Sequence, residues 1–278
     1  SSHELASLCI TEAIQYSKYI TEEPIFLLFL DAKSAFDSVI IKYLVRNLYL
    51  SGTEGNSLLY MENRLANRVS FCEFDKILVG PVYDELGLEQ GGISSSDGYK
   101  IYNNELLELV QNSELGVKMG DHLVLSGVGQ ADDTALLSND IFKLYHLLQL
   151  ALNYCRKFNV KLSSSKTKLL VVQPAKADTY IPVNPINREG VKVEFSSTAE
   201  HVGVIRSASG NMPNILQRIA SFKRALGSVI SCGLARGRRT NPSAAVRILA
   251  VYGTPVLMSG LPSQVLSTNE VNCIDQQL

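Results

Sequence analysis

The run Ile25-Phe26-Leu27-Leu28-Phe29-Leu30 is unbroken by any polar residue, and Asp31 follows it at once. Six apolar residues after a proline, Pro24, have the character of a strand buried on both faces. The run is far too short to cross a bilayer. Any fold built on it therefore carries a carboxylate at the rim of a rigid, buried strand. A second acidic rim is Asp132-Asp133, set between Gly129-Gln130-Ala131 and the apolar Thr134-Ala135-Leu136-Leu137. Read alone, Asp31 serves as the cap of the next helix and Asp132-Asp133 as a polar turn. Read together, carboxylates from two neighbouring strands are what a pair of Mg²⁺ ions needs to clamp the attacking and leaving oxygens of a phosphoryl transfer.

The remaining pattern is mixed. His3 to Tyr19 has helical spacing of its apolar residues, and a helix is expected from about Ser38 to Tyr49, capped by Asp37 or Ser38. Another is expected from about Glu54 to Ala66, followed by strands over Arg68 to Phe74 and Lys76 to Val82 with Asp75 near their turn. Gly87 to Gly92 reads as a loop, and Ser94 or Ser95 to about Gln111 as a helix. Leu123 to Val128 and Thr134 to Leu137 read as a hairpin whose polar turn is Gly129 to Asp133. Ile141, Leu144, Leu147, Leu148, Ala151, Leu152, Cys155 and Phe158 form one helical stripe that Asn139 or Asp140 can cap. Leu169 to Val172 is a strand, Gln173 to Arg188 a loop, and Val191 to Phe195 and His201 to Ile205 are short strands. Helices then dominate. The order points to an α+β core followed by a small helical unit, with a boundary near Ser207 to Met212.

Charge divides along the same line. The net charge is -1, but residues 1 to 200 hold 18 Lys/Arg against 25 Asp/Glu, whereas His201 to Asn269 hold eight bases and no acid. Such asymmetry points to an anionic partner, the plainer alternative being a solvated helical face. The five cysteines are scattered, odd in number and never paired as CxxC, which excludes a disulfide framework or zinc motif and fits a reduced, intracellular setting, nucleus or cytoplasm. No signal pattern opens the chain and no membrane is expected as a partner. Because it begins with Ser1 and stops without a recognisable end, the chain is expected to be part of something longer.

Five segments, in order, resemble the reverse transcriptase domain of non-LTR (LINE-like) retrotransposons. Phe29-Leu30-Asp31-Ala32-Lys33-Ser34-Ala35-Phe36-Asp37 resembles motif A, Leu88-Glu89-Gln90-Gly91-Gly92 with Ile93-Ser94-Ser95 motif B, and Gly129-Gln130-Ala131-Asp132-Asp133 motif C. Asn159 to Lys168 is similar to motif D, and Glu200-His201-Val202-Gly203-Val204 to motif E. The resemblance implies a right-hand polymerase palm, an antiparallel sheet packed on helices. Residues 1–24 would be a remaining fingers helix, 25–206 the palm with a fingers insertion, and 207–278 a truncated helical start of the thumb. It implies RNA-directed DNA polymerisation on an RNA template, with a DNA primer and dNTPs. Asp31 and Asp132, with the backbone carbonyl of Ala32, would hold two Mg²⁺ ions, for which Mn²⁺ can substitute, and Asp133 would be the accompanying catalytic acid. Phe36 would be the steric gate that excludes a 2′-hydroxyl by bulk. Gln90 and Gly91 would contact the incoming nucleotide and template base, and Lys166 the leaving pyrophosphate. His201, Val202, Gly203 and Val204 would grip the primer, while Arg218, Lys223, Arg224, Arg236, Arg238 and Arg239 would meet phosphates.

The segments also depart from the family. Gln130 stands where motif C usually has an aromatic residue, Glu89 where motif B usually has a base, and Ile93-Ser94-Ser95 replace the usual Pro-Leu-Ser. Few residues precede motif A, so most of the fingers is expected to be missing and the piece alone inactive. The alternative function is an inactive or domesticated reverse-transcriptase-like domain that only binds nucleic acid; a nucleotidyl cyclase would leave the Gln90-Gly91 loop, the Lys166 segment and the basic C-terminal region unexplained.

Overall fold

In the computed structural model the apolar run is a strand, β1 (Ile25–Leu30), buried at every position. The structure describes residues 2–66, 68–84, 86–89, 91–92, 94–174, 186–188, 190–231 and 241–276. Two compact units are present. One comprises Phe26–Leu169 and Pro182–Phe195, the other Ser1–Ile25, Leu170–Ile181 and Ser196–Leu278.

In the first unit, β2 (Ala32–Lys33) follows β1, then α2 (Ile41–Leu50), α3 (Gly55–Leu65) and a hairpin of β3 (Arg68–Phe74) and β4 (Ile77–Asp84); α1 belongs to the second unit. Next come α4 (Ser95–Gln111), β5 (Val117–Met119), β6 (Leu123–Leu125), β7 (Gly127–Gln130), β8 (Asp133–Ser138), α5 (Ile141–Lys157), β9 (Lys161–Leu162), β10 (Lys168–Val172), of which Leu170–Val172 fall in the second unit, β11 (Ile186–Arg188) and β12 (Val191–Phe195). The main sheet has the order β11-β12-β10-β1-β8-β7. β1 and β8 pair antiparallel, as do β8 and β7, but Lys168 and Leu169 of β10 pair parallel with Glu194 and Phe195 of β12. The sheet is thus mixed rather than wholly antiparallel. α5 packs on β8, α4 on β7, and the two helices on each other. Leu27, Leu28, Leu136, Leu137, Leu144, Leu147, Tyr99 and Tyr102 are fully buried. This is the α+β architecture expected.

Several local expectations are corrected. The helix expected from Ser38 starts at Ile41, and neither Asp37 nor Ser38 caps it. Ser34 is left-handed (φ 48), the Ser38 amide bonds to the Ser34 carbonyl at 3.1 Å, and Ile40 is extended, bridged to Leu86 and bonded through its amide to the Tyr102 hydroxyl at 3.2 Å. Those contacts keep the segment a turn. Lys76 joins Asp75 in a turn with both residues at positive φ (66 and 51), the geometry a two-residue hairpin favours, so β4 begins at Ile77. Leu123 to Val128 is not one strand: β6 pairs with β5, and β7 starts at Gly127. The hairpin turn contracts to Ala131-Asp132, because Gln130 already pairs with Asp133. Ile186–Arg188, expected in a loop, pairs with β12.

The second unit contains α1 (Ser2–Tyr16) with a π-helical turn over Ser17–Thr21, a hairpin of β13 (Thr198–His201) and β14 (Val204–Ser207), and helices α6 (Met212–Val229), α7 (Pro242–Ile248), α8 (Thr254–Met258) and α9 (Thr268–Asp275). The strand expected over His201 to Ile205 is interrupted by a turn at Val202 (φ 52) and Gly203 (φ 70). Ile215, Ile219, Leu257, Leu261 and Ile274 form the apolar core of the helices. Asn214, fully buried, ties them to the hairpin: it accepts from the Ile205 amide at 3.1 Å and donates to Gln264 at 2.9 Å.

Candidate active site

Strand pairing brings the two acidic rims together. The last pair of β1 and β8 is Leu30 with Thr134, so the same register carried one residue further sets Asp31 opposite Asp133. Directly opposed antiparallel residues have Cα atoms about 4.5–5.5 Å apart. Asp132 sits beside them in the two-residue turn. Ala32 opens β2, which pairs with Leu162 of β9, and Ala32 and Asp132 both line one small cavity of about 20 Å³.

Each rim is braced from behind. The Asp31 carbonyl accepts from the Ser163 amide at 2.8 Å, and its amide donates to the buried Thr167 hydroxyl at 3.5 Å. On the other rim, Ala131 is left-handed (φ 55), and its carbonyl accepts from Asn103 Nδ2 at 3.0 Å, which also bonds Thr134 Oγ1 at 3.1 Å. Asn103, Thr167 and Ser163 were not singled out from sequence. Asn103 had a signal: it is the polar residue in the buried stripe of α4 formed by Tyr99, Tyr102, Leu106 and Val110. Thr167 and Ser163 had none, being ordinary members of a polar run.

Lys166 joins the Asp31 side. Its ammonium lies 3.5 Å from Asp31 Oδ1, with the lysine side chain 72% exposed. The donor chemistry suits a hard divalent cation: a backbone carbonyl and two carboxylates, of which that of Asp31 already faces a cation. Among the described residues no three His, Cys, Asp or Glu side chains converge on one metal position. The expected ligand set needs only two, Asp31 and Asp132, beside the Ala32 carbonyl.

Phe36 is half-buried and its ring centroid is 5.1 Å from that of Tyr99 on α4. Burial, then the charge of Asp132, push the Tyr99 hydroxyl far above the ordinary tyrosine range, so it stays protonated beside the acids. The backbone of Phe36 is also tied to the motif B loop, since its carbonyl accepts from the Leu88 amide at 2.8 Å. Gly91 is exposed at φ 84, where a side chain would strain the backbone. Gln90 lies outside the described residues.

In the second unit, His201 is buried and Val202-Gly203 form the tip of the β13–β14 hairpin. Arg218 donates to the Gly203 carbonyl, so its guanidinium is drawn into bracing that tip. Lys223 and Arg224 are exposed on α6, with Arg224 also donating to Ser221 Oγ at 3.0 Å. Arg236, Arg238 and Arg239 lie outside the described residues.

No curated protein sequence matches the chain. Solved structures similar to it include the apo telomerase of Candida tropicalis truncated from its C-terminal domain: 12% identity, TM-score 0.43, 75% of this chain and 39% of that one covered. A second is the telomerase of Candida albicans in complex with a TWJ fragment of telomeric RNA: 13% identity, TM-score 0.48, 100% of this chain and 46% of that one covered. The chain thus spans less than half the length of either. The family described as "Reverse transcriptase (RNA-dependent DNA polymerase)" matches residues 6–202, a stretch that holds Asp31, Asp132, Asp133 and Lys166. With most of its length inside that match, the chain belongs to the reverse transcriptase family.

Proposed function

We propose that this domain is an RNA-directed DNA polymerase of the non-LTR retrotransposon kind, extending a DNA primer on an RNA template with dNTPs. The observation that carries the reading is the β1–β8 register, which sets Asp31 against Asp133 with Asp132 alongside. In this reading residues 25–206 are the palm, 1–24 a fingers helix and 207–278 the start of the thumb. Asp31, Asp132 and the Ala32 carbonyl hold two Mg²⁺ ions, which when bound offset the charge of the triphosphate and of the primer oxygen. Asp133 steadies the turn that presents Asp132. Phe36, backed by Tyr99, stands where a 2′-hydroxyl would clash, and Gln90 and Gly91 are the residues that contact the incoming nucleotide and template base. Lys166 moves its ammonium from Asp31 to the leaving pyrophosphate, where its charge lowers the barrier and a proton can be given up. His201, Val202 and Gly203 present the primer, and Lys223, Arg224, Arg236, Arg238 and Arg239 engage phosphates.

The test is primer extension on an RNA template by the full-length protein in Mg²⁺ or Mn²⁺. Incorporation that is lost in Asp132→Asn, with the unfolding transition unchanged, is the expected result. Well-folded wild-type protein that binds RNA in a salt-sensitive way but never extends a primer would move the domain to the binding-only reading.

A further inference from the structure

The second compact unit contains a cavity of about 310 Å³ whose described lining residues all belong to that unit. That volume lies at the small end of the range for ligand sites. On its wall is Arg206 of β14, 5% exposed. The guanidinium donates to the Ser7 carbonyl at 2.6 Å, to Ser7 Oγ at 2.9 Å and to Thr11 Oγ1 at 3.1 Å, all neutral acceptors, and its Nε is buried with no hydrogen-bond partner. No carboxylate pairs with it among the described residues. Burial lowers its pKa to about 10, which leaves it charged at neutral pH.

Three bonds to neutral acceptors satisfy part of the guanidinium, but a buried cation without a counter-charge still carries a desolvation cost that an anion would offset. The one acid among the described lining residues, Glu270, is committed elsewhere. Its Oε1 accepts from the Asn211 amide at 3.2 Å, and its Oε2 from the Ser267 amide and hydroxyl at 2.7 and 3.0 Å, closing the capping box of α9. A second cation, Lys18, lines the same cavity, its ammonium 5.2 Å from the centroid of the Tyr19 ring. Two cations, one acid whose oxygens are occupied by backbone and hydroxyl donors, and an aromatic wall describe a receptor for an anion carrying an apolar or planar body.

We propose that this cavity binds a phosphate monoester of mononucleotide size, with Arg206 and Lys18 holding the phosphate and Tyr19 flanking the attached group. The phosphate supplies the missing counter-charge through charge-assisted bonds. The space exceeds what inorganic phosphate alone would fill. None of its lining belongs to the acidic centre of Asp31, Asp132 and Asp133, so occupancy here is separable from polymerisation.

Titration calorimetry of the full chain with AMP, and separately with inorganic phosphate, tests the assignment. Saturable AMP binding is expected, with inorganic phosphate at least about tenfold weaker. Lys18→Ala, at a partly exposed position, should weaken AMP about tenfold or more, the loss of one charge-assisted contact. Arg206→Met should abolish saturable binding, and Asp132→Asn should leave it unchanged. Absence of binding to natively folded protein overturns the proposal, as does wild-type affinity in Lys18→Ala. Inorganic phosphate binding as tightly as AMP overturns the nucleotide-sized ligand, and loss of AMP binding in Asp132→Asn would place the nucleotide at the acidic centre instead.

Discussion

Replacing Asn103 by alanine removes one side chain that touches neither metal nor substrate in the proposed reaction, yet it should disturb both fold and chemistry. Its Nδ2 spans the base of the β7–β8 turn, donating to the Ala131 carbonyl at 3.0 Å and to Thr134 Oγ1 at 3.1 Å. Asn103 and Thr134 are buried, so water cannot replace these bonds without entering the core. Each bond contributes about 1 kcal/mol net, and a carbonyl left unsatisfied adds to the loss. Ala131 also holds a left-handed conformation, φ 55, that costs a non-glycine residue about 1 kcal/mol and needs such a tether. Asn103→Ala should therefore destabilise the domain by about 2–3 kcal/mol, measured by urea denaturation. The exposed neighbour Asn104 provides the control, with Asn104→Ala expected within about 0.5 kcal/mol of wild type. In primer extension, the loosened turn lets Asp132 wander, so kcat should fall while KM for dNTP changes little. Asn103→Ala with wild-type stability would refute the bracing argument, and a loss seen in KM alone would refute its link to Asp132.

Phe36→Val should raise ribonucleotide incorporation relative to deoxyribonucleotide incorporation, read by competition between rNTP and dNTP; an unchanged ratio removes Phe36 from the gate. Lys166→Gln should lower kcat but shift stability by no more than about 0.5 kcal/mol, because its contact with Asp31 is an exposed ion pair. The cysteines should separate by alkylation at pH 8: exposed Cys72 reacts in the native state, whereas Cys155, whose pKa burial raises to about 12, reacts only after unfolding. The same burial gives Cys155 a signed pH effect. The unfolded thiol ionises from its ordinary value of 9.0 upward while the folded one keeps its proton, so its contribution to stability is intact below pH 9 and declines above it, and Cys155→Ala should flatten that alkaline slope.

What could be read in advance follows from how local the cause is. β1 and α5 are set by their own residues, an unbroken apolar run and a stripe capped by Asp140, whose side chain accepts from the Phe142 and Lys143 amides at 2.7 and 3.4 Å. The helix after motif A starts later than its own residues suggest, because its start depends on partners remote in the chain, Leu86 and Tyr102, which hold Ile40 extended. The acids of the candidate site were legible because they join strands directly. Their braces were not, since Ser163 and Thr167 become distinctive only once folding sets them against Asp31.

The basic C-terminal stretch shows the same limit in its charges. A count of bases treats each as a cation facing water, whereas a guanidinium can also serve as a multiple donor to backbone. Arg206 went inward, to Ser7 and Thr11, and Arg218 went to the Gly203 carbonyl at the hairpin tip. Among the described bases of that stretch, Lys223, Arg224 and Arg247 remain exposed. Phosphate contacts set the salt dependence of nucleic-acid affinity at about -0.7 to -0.9 in log K per contact. Lys223→Ala and Arg224→Ala should each make the slope of RNA binding against salt shallower by about that amount. Arg218→Ala should instead act through the hairpin, weakening binding with little change of slope. A full unit of slope lost in Arg218→Ala would mean that its guanidinium leaves the Gly203 carbonyl for phosphate when RNA binds.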